Sequence, residues 1–445
     1  NIYLQMNSRP YTSSLTVRNI CPTIADQPPI TLPKLVPVIQ RFPTDTVSDI
    51  EAEMRAQLQQ FSGLDLKGKR IAITAGSRGI TGFIPVVRSL VSQLKEKGAE
   101  PFIVPAMGSH GGATAEGQLA VLENLGITEE SVNAPIRSSM DVIKLGEIEE
   151  ETPVYCDRLA YESDGIIVCN RIKPHTAFAA EYESGLLKMM MIGLGKHVGT
   201  TEVHKLGFHR FHKALPDAAK IFLEKAPILF GVAIVDNASN QVARVEAIPA
   251  DQILDQEKEL LAYSKTLIGR ILLSEIDVLV VDAMGKDISG AGMDSNVTGR
   301  SATNVQREYA PNIGQIVIRD LSKATKGNAI GMGNADIITS RAAEKIDLAV
   351  TYTNALTART PVGAKVPLIA SSDRQAIEIA CRNATSKPDQ TVRLVQISNT
   401  KDIEKIWVST SYLPEIEYRE DIILDGEPRP IEFDESGNQT WPTIC

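Results

Sequence analysis

The residue type best suited to chemistry near neutral pH is unevenly distributed. The six histidines are His110, His175, His197, His204, His209 and His212, so five fall between 175 and 212 and none lies beyond. Imidazole titrates near neutrality and serves as general base, general acid or metal ligand. His110 stands in Gly108-Ser109-His110-Gly111-Gly112-Ala113, just after the apolar run Phe102–Val104. His175 stands in Asn170-Arg171-Ile172-Lys173-Pro174-His175-Thr176, after the run Gly165–Cys169. If both runs are strands of one parallel sheet, both imidazoles emerge at its C-terminal edge, where ligands gather in such sheets. Pro174 fixes its own φ and biases Lys173 toward an extended backbone. Lys173 and Arg171 add positive charge suited to an anionic ligand. Two imidazoles facing each other across a ligand can exchange the roles of base and acid.

Other residues join this pattern. Gly76-Ser77-Arg78-Gly79 follows the run Ile71–Ala75 in the same position, and a guanidinium there can clamp a carboxylate through two parallel hydrogen bonds. Lys188 is the lone charge between Leu186 and Leu194; desolvation lowers a lysine pKa and makes the amine nucleophilic. Gly185, Gly193, Gly195 and Gly199 let a flat ligand approach the backbone. His197 and His204, and His204 and His212, are spaced to share a helix face. In the second half, Ile276–Val281 runs into Asp282-Ala283-Met284-Gly285-Lys286-Asp287 and then a glycine-rich stretch, with Lys286 as a partner for an anion. No HExxH, EF-hand loop, Walker A loop or strand-following GxGxxG occurs.

These residues need a scaffold that brings strand ends together. Short apolar runs alternate with helical periodicity along most of the 445 residues. Strands are expected at the runs above and at Ile228–Val235, Gln315–Ile318, Leu348–Tyr352, Pro367–Ala370 and Val392–Ile397. Helices are expected over 83–94, 119–125, 217–225, 251–267, 341–345 and 374–383. Such alternation predicts two α/β domains with mostly parallel sheets and a cofactor and substrate cleft between them. The expected division is an N-terminal α/β domain over 1–270 carrying the histidines, a C-terminal α/β domain over 275–400, and a tail over 401–445. The tail, with Pro414, Pro428, Pro430 and Pro442, is expected to pack back on the N-terminal domain.

The composition excludes several classes. With 43% hydrophobic and 23% charged residues the chain can bury real cores, and a net charge of −9 argues against a general nucleic-acid binder. Five scattered cysteines without CxxC point to free thiols in a reducing compartment, and no apolar run is long enough to span a membrane. The first dozen residues show no periodicity. A cytoplasmic protein is expected.

Taken together, Ser77-Arg78, Ser109-His110-Gly111-Gly112, Lys173-Pro174-His175, Lys188 and His204 resemble, in order and separation, the nickel-dependent lactate racemase family and its 2-hydroxyacid racemase and epimerase homologues. The resemblance implies a nickel-pincer nucleotide, a modified pyridinium mononucleotide that holds nickel through carbon and sulfur. It implies His204 as the protein's nickel ligand and Lys188 as the tethering amine, with Ser77 and Lys173 also binding the cofactor. His110 and His175 would be the paired acid and base, Arg78 would orient substrate, and Lys286 would contact it from the C-terminal domain. The implied reaction inverts C2 of a small-molecule 2-hydroxyacid by transient hydride transfer. The loop Ala75-Gly76-Ser77 and the methionine-rich stretch after Lys188 depart from the lactate enzymes, which points to a substrate larger than lactate, such as a sugar acid. Further copies of the chain are the only macromolecular partner expected. Two other readings stay open: a protein that binds the nucleotide without turnover, and a lyase or hydrolase holding a simple divalent ion on the 197–212 histidines.

Overall fold

The computed structural model describes residues 30–305, 307–384 and 391–442. They form two units. One is Phe42–Ile268; the other joins the described residues up to Arg41 to those from Gly269 onward. The strands in chain order are β1 (Leu35–Gln40), β2 (Arg70–Ala75), β3 (Glu100–Pro105), β4 (Val142–Ile148), β5 (Thr152–Asp157), β6 (Gly165–Arg171), β7 (Ile228–Asp236) and β8 (Val242–Pro249). They continue as β9 (Glu275–Val281), β10 (Asn312–Ile318), β11 (Ile337–Thr339), β12 (Leu368–Ala370), β13 (Leu394–Ile397), β14 (Lys405–Ser409), β15 (Ile422–Leu424), β16 (Glu432–Phe433) and β17 (Gln439–Trp441).

The Phe42–Ile268 unit carries a five-stranded sheet in the order β3-β2-β6-β7-β8. The first four strands are parallel and β8 returns antiparallel to β7. Strands buried on both faces read as continuous apolar runs, and β2, β3 and β6 are buried over most of their length. Helix Phe83–Glu96 shows why the packing closes: Phe83, Val86, Val87, Leu90, Val91 and Leu94 recur at helical spacing and are all buried. Gly98, at φ +78°, ends it. The chain passes from β2 to β3 on one side and then crosses to β6 on the other. The connections therefore diverge between β2 and β6, and it is at such a switch point that ligands bind doubly wound sheets. The β4–β5 hairpin, with half its residues only partly buried, carries no continuous apolar run and was not expected from the sequence.

The second unit holds an eight-stranded sheet in the order β12-β11-β10-β9-β13-β14-β1-β15. β9 to β13 are parallel to their neighbours, while β14, β1 and β15 are antiparallel. Two expectations are corrected here. The tail does not belong with the Phe42–Ile268 unit: β14 and β15 complete this sheet and β17 packs onto its end. The run Leu348–Tyr352 is not a strand but the start of helix Leu348–Thr357. Asp347 accepts a hydrogen bond from the Val350 N–H (3.1 Å), and this N-cap, with Thr351 and Ala355 buried one turn apart, outweighs the β-branched composition. Cys21 and Cys445, and the aperiodic first dozen residues, lie outside the described residues. Among the described residues, no helix is long and apolar enough to cross a membrane.

The switch point of this second sheet, between β9 and β13, is closed by a charge network. Arg319 bridges Asp282 (2.6 Å) and the fully buried Asp373 (2.9 Å). Gln396 donates to Asp282 (2.7 Å), and Gln439 of β17 donates to Gln396 (2.9 Å) and, through its backbone N–H, to Asp373 (2.9 Å). Arg319→Met would leave the desolvated Asp282 carboxylate without its cation, while Asp373 keeps its second partner, Arg341 (2.8 Å), and we expect a loss of about 3–5 kcal/mol. Both tryptophans, Trp407 and Trp441, lie in this unit, so urea unfolding followed by tryptophan fluorescence reads that loss directly; an unchanged midpoint would contradict it.

Candidate active site

Loops leaving β2, β3 and β6 converge on the C-terminal edge of the first sheet. In the loop after β2, the Ser77 hydroxyl contacts Nδ1 of His110, which comes from the loop after β3. The His110 loop is tightly held. Gly111, at φ +66°, lies so close to helix Ala115–Asn124 that a Cβ would come within 2.4 Å of the Gly117 carbonyl carbon. Thr114 caps that helix by accepting from the Gly117 N–H (3.0 Å), and the Gln118 amide donates to the carbonyls of Gly108 (2.9 Å) and His110 (3.4 Å).

The loop after β6 closes on itself. The backbones of Lys173 and Ser184 pair in both directions, at 2.9 and 3.1 Å. Glu183, 1% exposed, accepts from the His175 N–H (2.6 Å) and ion-pairs with Lys265 (2.7 Å). The backbone of His175 is therefore fixed by a buried carboxylate. The His175 ring stacks on Phe178 at 4.5 Å, and its Nδ1 accepts from the Ala177 N–H (3.0 Å). Phe208 lies 6.2 Å from the His175 ring and 5.7 Å from that of His204; Phe211 stacks on His204 at 5.7 Å and meets Phe178 edge-on at 5.5 Å. One aromatic cluster thus gathers His175 and His204, 29 positions apart in the chain.

Positive charge accumulates beside it. Arg171 is paired with Asp236 (2.7 Å). Arg78 is exposed along the loop, yet desolvation of its charged end and repulsion from Arg171 hold the guanidinium below its usual range. Lys188 is half-buried on the short helix Leu186–Lys188. Desolvation, helped by Arg78 and opposed by Glu183, draws its ammonium down to about 7. The fully buried Glu257 accepts from the Leu186 and Leu187 N–H groups (2.7 and 3.0 Å) and so caps the turn that carries Lys188; burial raises its carboxyl to about 7. A Cβ on Gly185 would come within 2.2 Å of that carboxylate, which explains the glycine there. Past Lys188 the chain forms a π-helical stretch, Met189–Leu194, then helix Lys196–Lys205 bearing His204; π turns often mark functional sites.

The remaining candidates lie elsewhere. His197, His209 and His212 are exposed, and among the described residues no three His, Cys, Asp or Glu side chains are placed to hold a metal ion. Lys286 belongs to the other unit, where its Nζ donates to the Gly290 carbonyl (2.8 Å) and Asn354 (2.9 Å). Phe178, Phe208, Phe211 and Glu257 were not picked out from sequence. The F-H-R-F run at 208–211 was the available signal for two of them.

Residues 57–214 match the family model of the lactate racemase N-terminal domain. The span 57–214 is similar to the lactate racemase N-terminal domain, and within it lie Ser77, Arg78, His110, Lys173, His175, Lys188 and His204. The chain is also similar to the structure of the lactate racemase apoprotein from Thermoanaerobacterium thermosaccharolyticum, at 14% identity and a TM-score of 0.49, over 83% of this chain and 99% of that one. No curated protein matches the chain.

A lysine drawn down to about 7 exposes a neutral, nucleophilic amine at physiological pH. Competitive acetylation read by peptide mass spectrometry should show Lys188 half-reactive at a pH of about 7, its reactivity rising with pH as the proton is lost. A midpoint near the ordinary 10.5 would show that its charge is fully solvated or paired.

Proposed function

We propose that the chain is a 2-hydroxyacid racemase or epimerase that inverts C2 with His110 and His175 as the acid–base pair. The observation that carries this reading is the sheet edge itself: within the lactate racemase-like span, two histidines, an arginine and a desolvated lysine issue from neighbouring strand ends around the switch point. Arg78 would hold the substrate carboxylate. Nδ1 of His110 faces the Ser77 hydroxyl, so its Nε2 is assigned to take the hydroxyl proton; His175 accepts a backbone N–H at Nδ1, which puts its proton on Nε2 and assigns it the acid role in that direction, the two roles reversing for the opposite enantiomer. Two such bases are needed because opposite enantiomers present that hydroxyl from opposite sides. The phenylalanines around His175 would exclude water from the planar 2-oxoacid during its turn.

The donor set suits a nickel-pincer nucleotide. That group brings its own carbon and sulfur donors, so it asks the protein for one imidazole rather than a three-ligand cluster. His204 would supply it, since nickel accepts imidazole beside sulfur in a square-planar arrangement. Lys188 offers an amine able to form a covalent tether, while Ser77 and Lys173 would contact the nucleotide. When bound, the group supplies a hydride acceptor. The substrate is a 2-hydroxyacid larger than lactate, such as a sugar acid. The buried thiols of Cys156, Cys169 and Cys381 suit the expected cytoplasmic setting.

The test is protein purified from a host that makes the cofactor, incubated with single enantiomers of lactate and of longer polyhydroxy 2-hydroxyacids and followed by optical rotation. Wild type should racemise or epimerise at least one of them. His110→Gln and His175→Gln should each lower kcat by about 10²–10⁴. Full activity in both variants would overturn the acid–base assignment. His204→Ala should lose its nickel by elemental analysis; unchanged nickel content would remove His204 from the coordination sphere.

A further inference from the structure

Lys196 has no part in the chemistry above, yet it is a fully buried charge on the segment that carries that chemistry. Its side chain is 0% exposed. It begins the helix that carries His204, directly after the π-helical stretch that follows Lys188, and takes a left-handed φ of +53°, uncommon for a residue with a Cβ. Its Nζ donates to the carbonyl of Pro105 at the end of β3 (2.5 Å) and to Oε1 of Gln118 (3.0 Å), and it ion-pairs with Asp157 (3.0 Å), itself 0% exposed. Burial pulls the lysine down and pushes the aspartate up, and each opposes the shift of the other. A charge placed there is costly to desolvate, so its position calls for a reason beyond filling space.

The reason lies in Gln118. An ammonium donates and cannot accept, so its contact with Oε1 turns the amide NH₂ of Gln118 the other way. That NH₂ is the group bonded to the carbonyls of Gly108 and His110. The loop is also tied directly to the π stretch, where the Gly108 N–H donates to the Gly193 carbonyl (3.3 Å). Gly193 has no room for a side chain, because a Cβ would come within 2.7 Å of the Ala106 carbonyl oxygen. A single buried lysine therefore spans from the segment bearing Lys188 and His204 to the loop bearing His110.

We propose that Lys196 is a positioning residue: through Gln118 and the Pro105 carbonyl it fixes the His110 loop against the segment that carries Lys188 and His204. The catalytic consequence rests on the acid–base reading of His110; the mechanical one does not.

Two variants separate the possibilities. Lys196→Met combined with Asp157→Asn removes both buried charges together. Gln118→Leu keeps the Lys196–Asp157 pair and the bond to the Pro105 carbonyl and removes the amide that links Lys196 to the loop, so it decides the question if the double variant fails to fold. Hydrogen exchange of the full chain, free of cofactor, should show amides 108–113 exchanging about tenfold faster in both variants, while amides of β2 keep their protection. In the cofactor-loaded enzyme, kcat should fall by about tenfold or more with KM little changed, the pattern of a misplaced acid–base group rather than lost binding. Unchanged exchange over 108–113 in Gln118→Leu, or loss of protection throughout β2 and β6 as well, would overturn the proposal. If wild type inverts no 2-hydroxyacid, the racemase reading fails while the exchange result still stands for or against Lys196.

Discussion

Burial, helped by Arg78, drives the Lys188 ammonium toward its neutral form. Arg78 leaves the end of β2 and Lys188 stands on the turn held by Glu257, and the carboxylates near them are already engaged: Asp236 with Arg171, Glu183 with Lys265 and the His175 backbone. Like charges confined in partly desolvated space disfavour each other's charged forms. An anion entering there would favour those charged forms. The switch point between β2 and β6 is what makes this confinement possible, since neither loop is covered by a crossover connection.

The two sheets use their switch points in opposite ways. In the first, loops rich in glycine and charge surround the strand ends. In the second, Arg319, Asp282 and Asp373 are matched in sign, and the Gln439 side chain is bonded onto them. The same topology thus gathers loop charges in one unit and closes on itself in the other. Sign balance decides which: the second network has its counter-charges built in, while in the first the nearby carboxylates Asp236 and Glu183 are engaged by Arg171 and Lys265.

Much of this was legible in the sequence where one local rule dominated. β2, β3 and β6 are continuous apolar runs and were read as strands, and Ser77, Arg78, His110 and His175 follow directly from their ends. Lys188 stood out as a lone charge among apolar residues. What escaped were long-range partners. Nothing local marks Glu257 as the cap for a turn 70 positions away, or Lys196 as the partner of Asp157. Leu348–Tyr352 misled because β-branched composition was weighed without its capping aspartate. The tail was misassigned because short strands such as β15 gain their stability from neighbours distant in the chain.

The β1 strand, Leu35–Gln40, is flanked on both sides by strands from the far end of the polypeptide, β14 and β15. During synthesis this apolar segment emerges long before β14 and β15 and must wait for them. At about 5–20 residues per second the wait is roughly 20–80 s. The intervening Phe42–Ile268 unit has all its own strands well before that and can fold meanwhile. The nascent chain therefore carries an unpaired, aggregation-prone strand through most of that interval, until β14 and β15 emerge to cover both its edges.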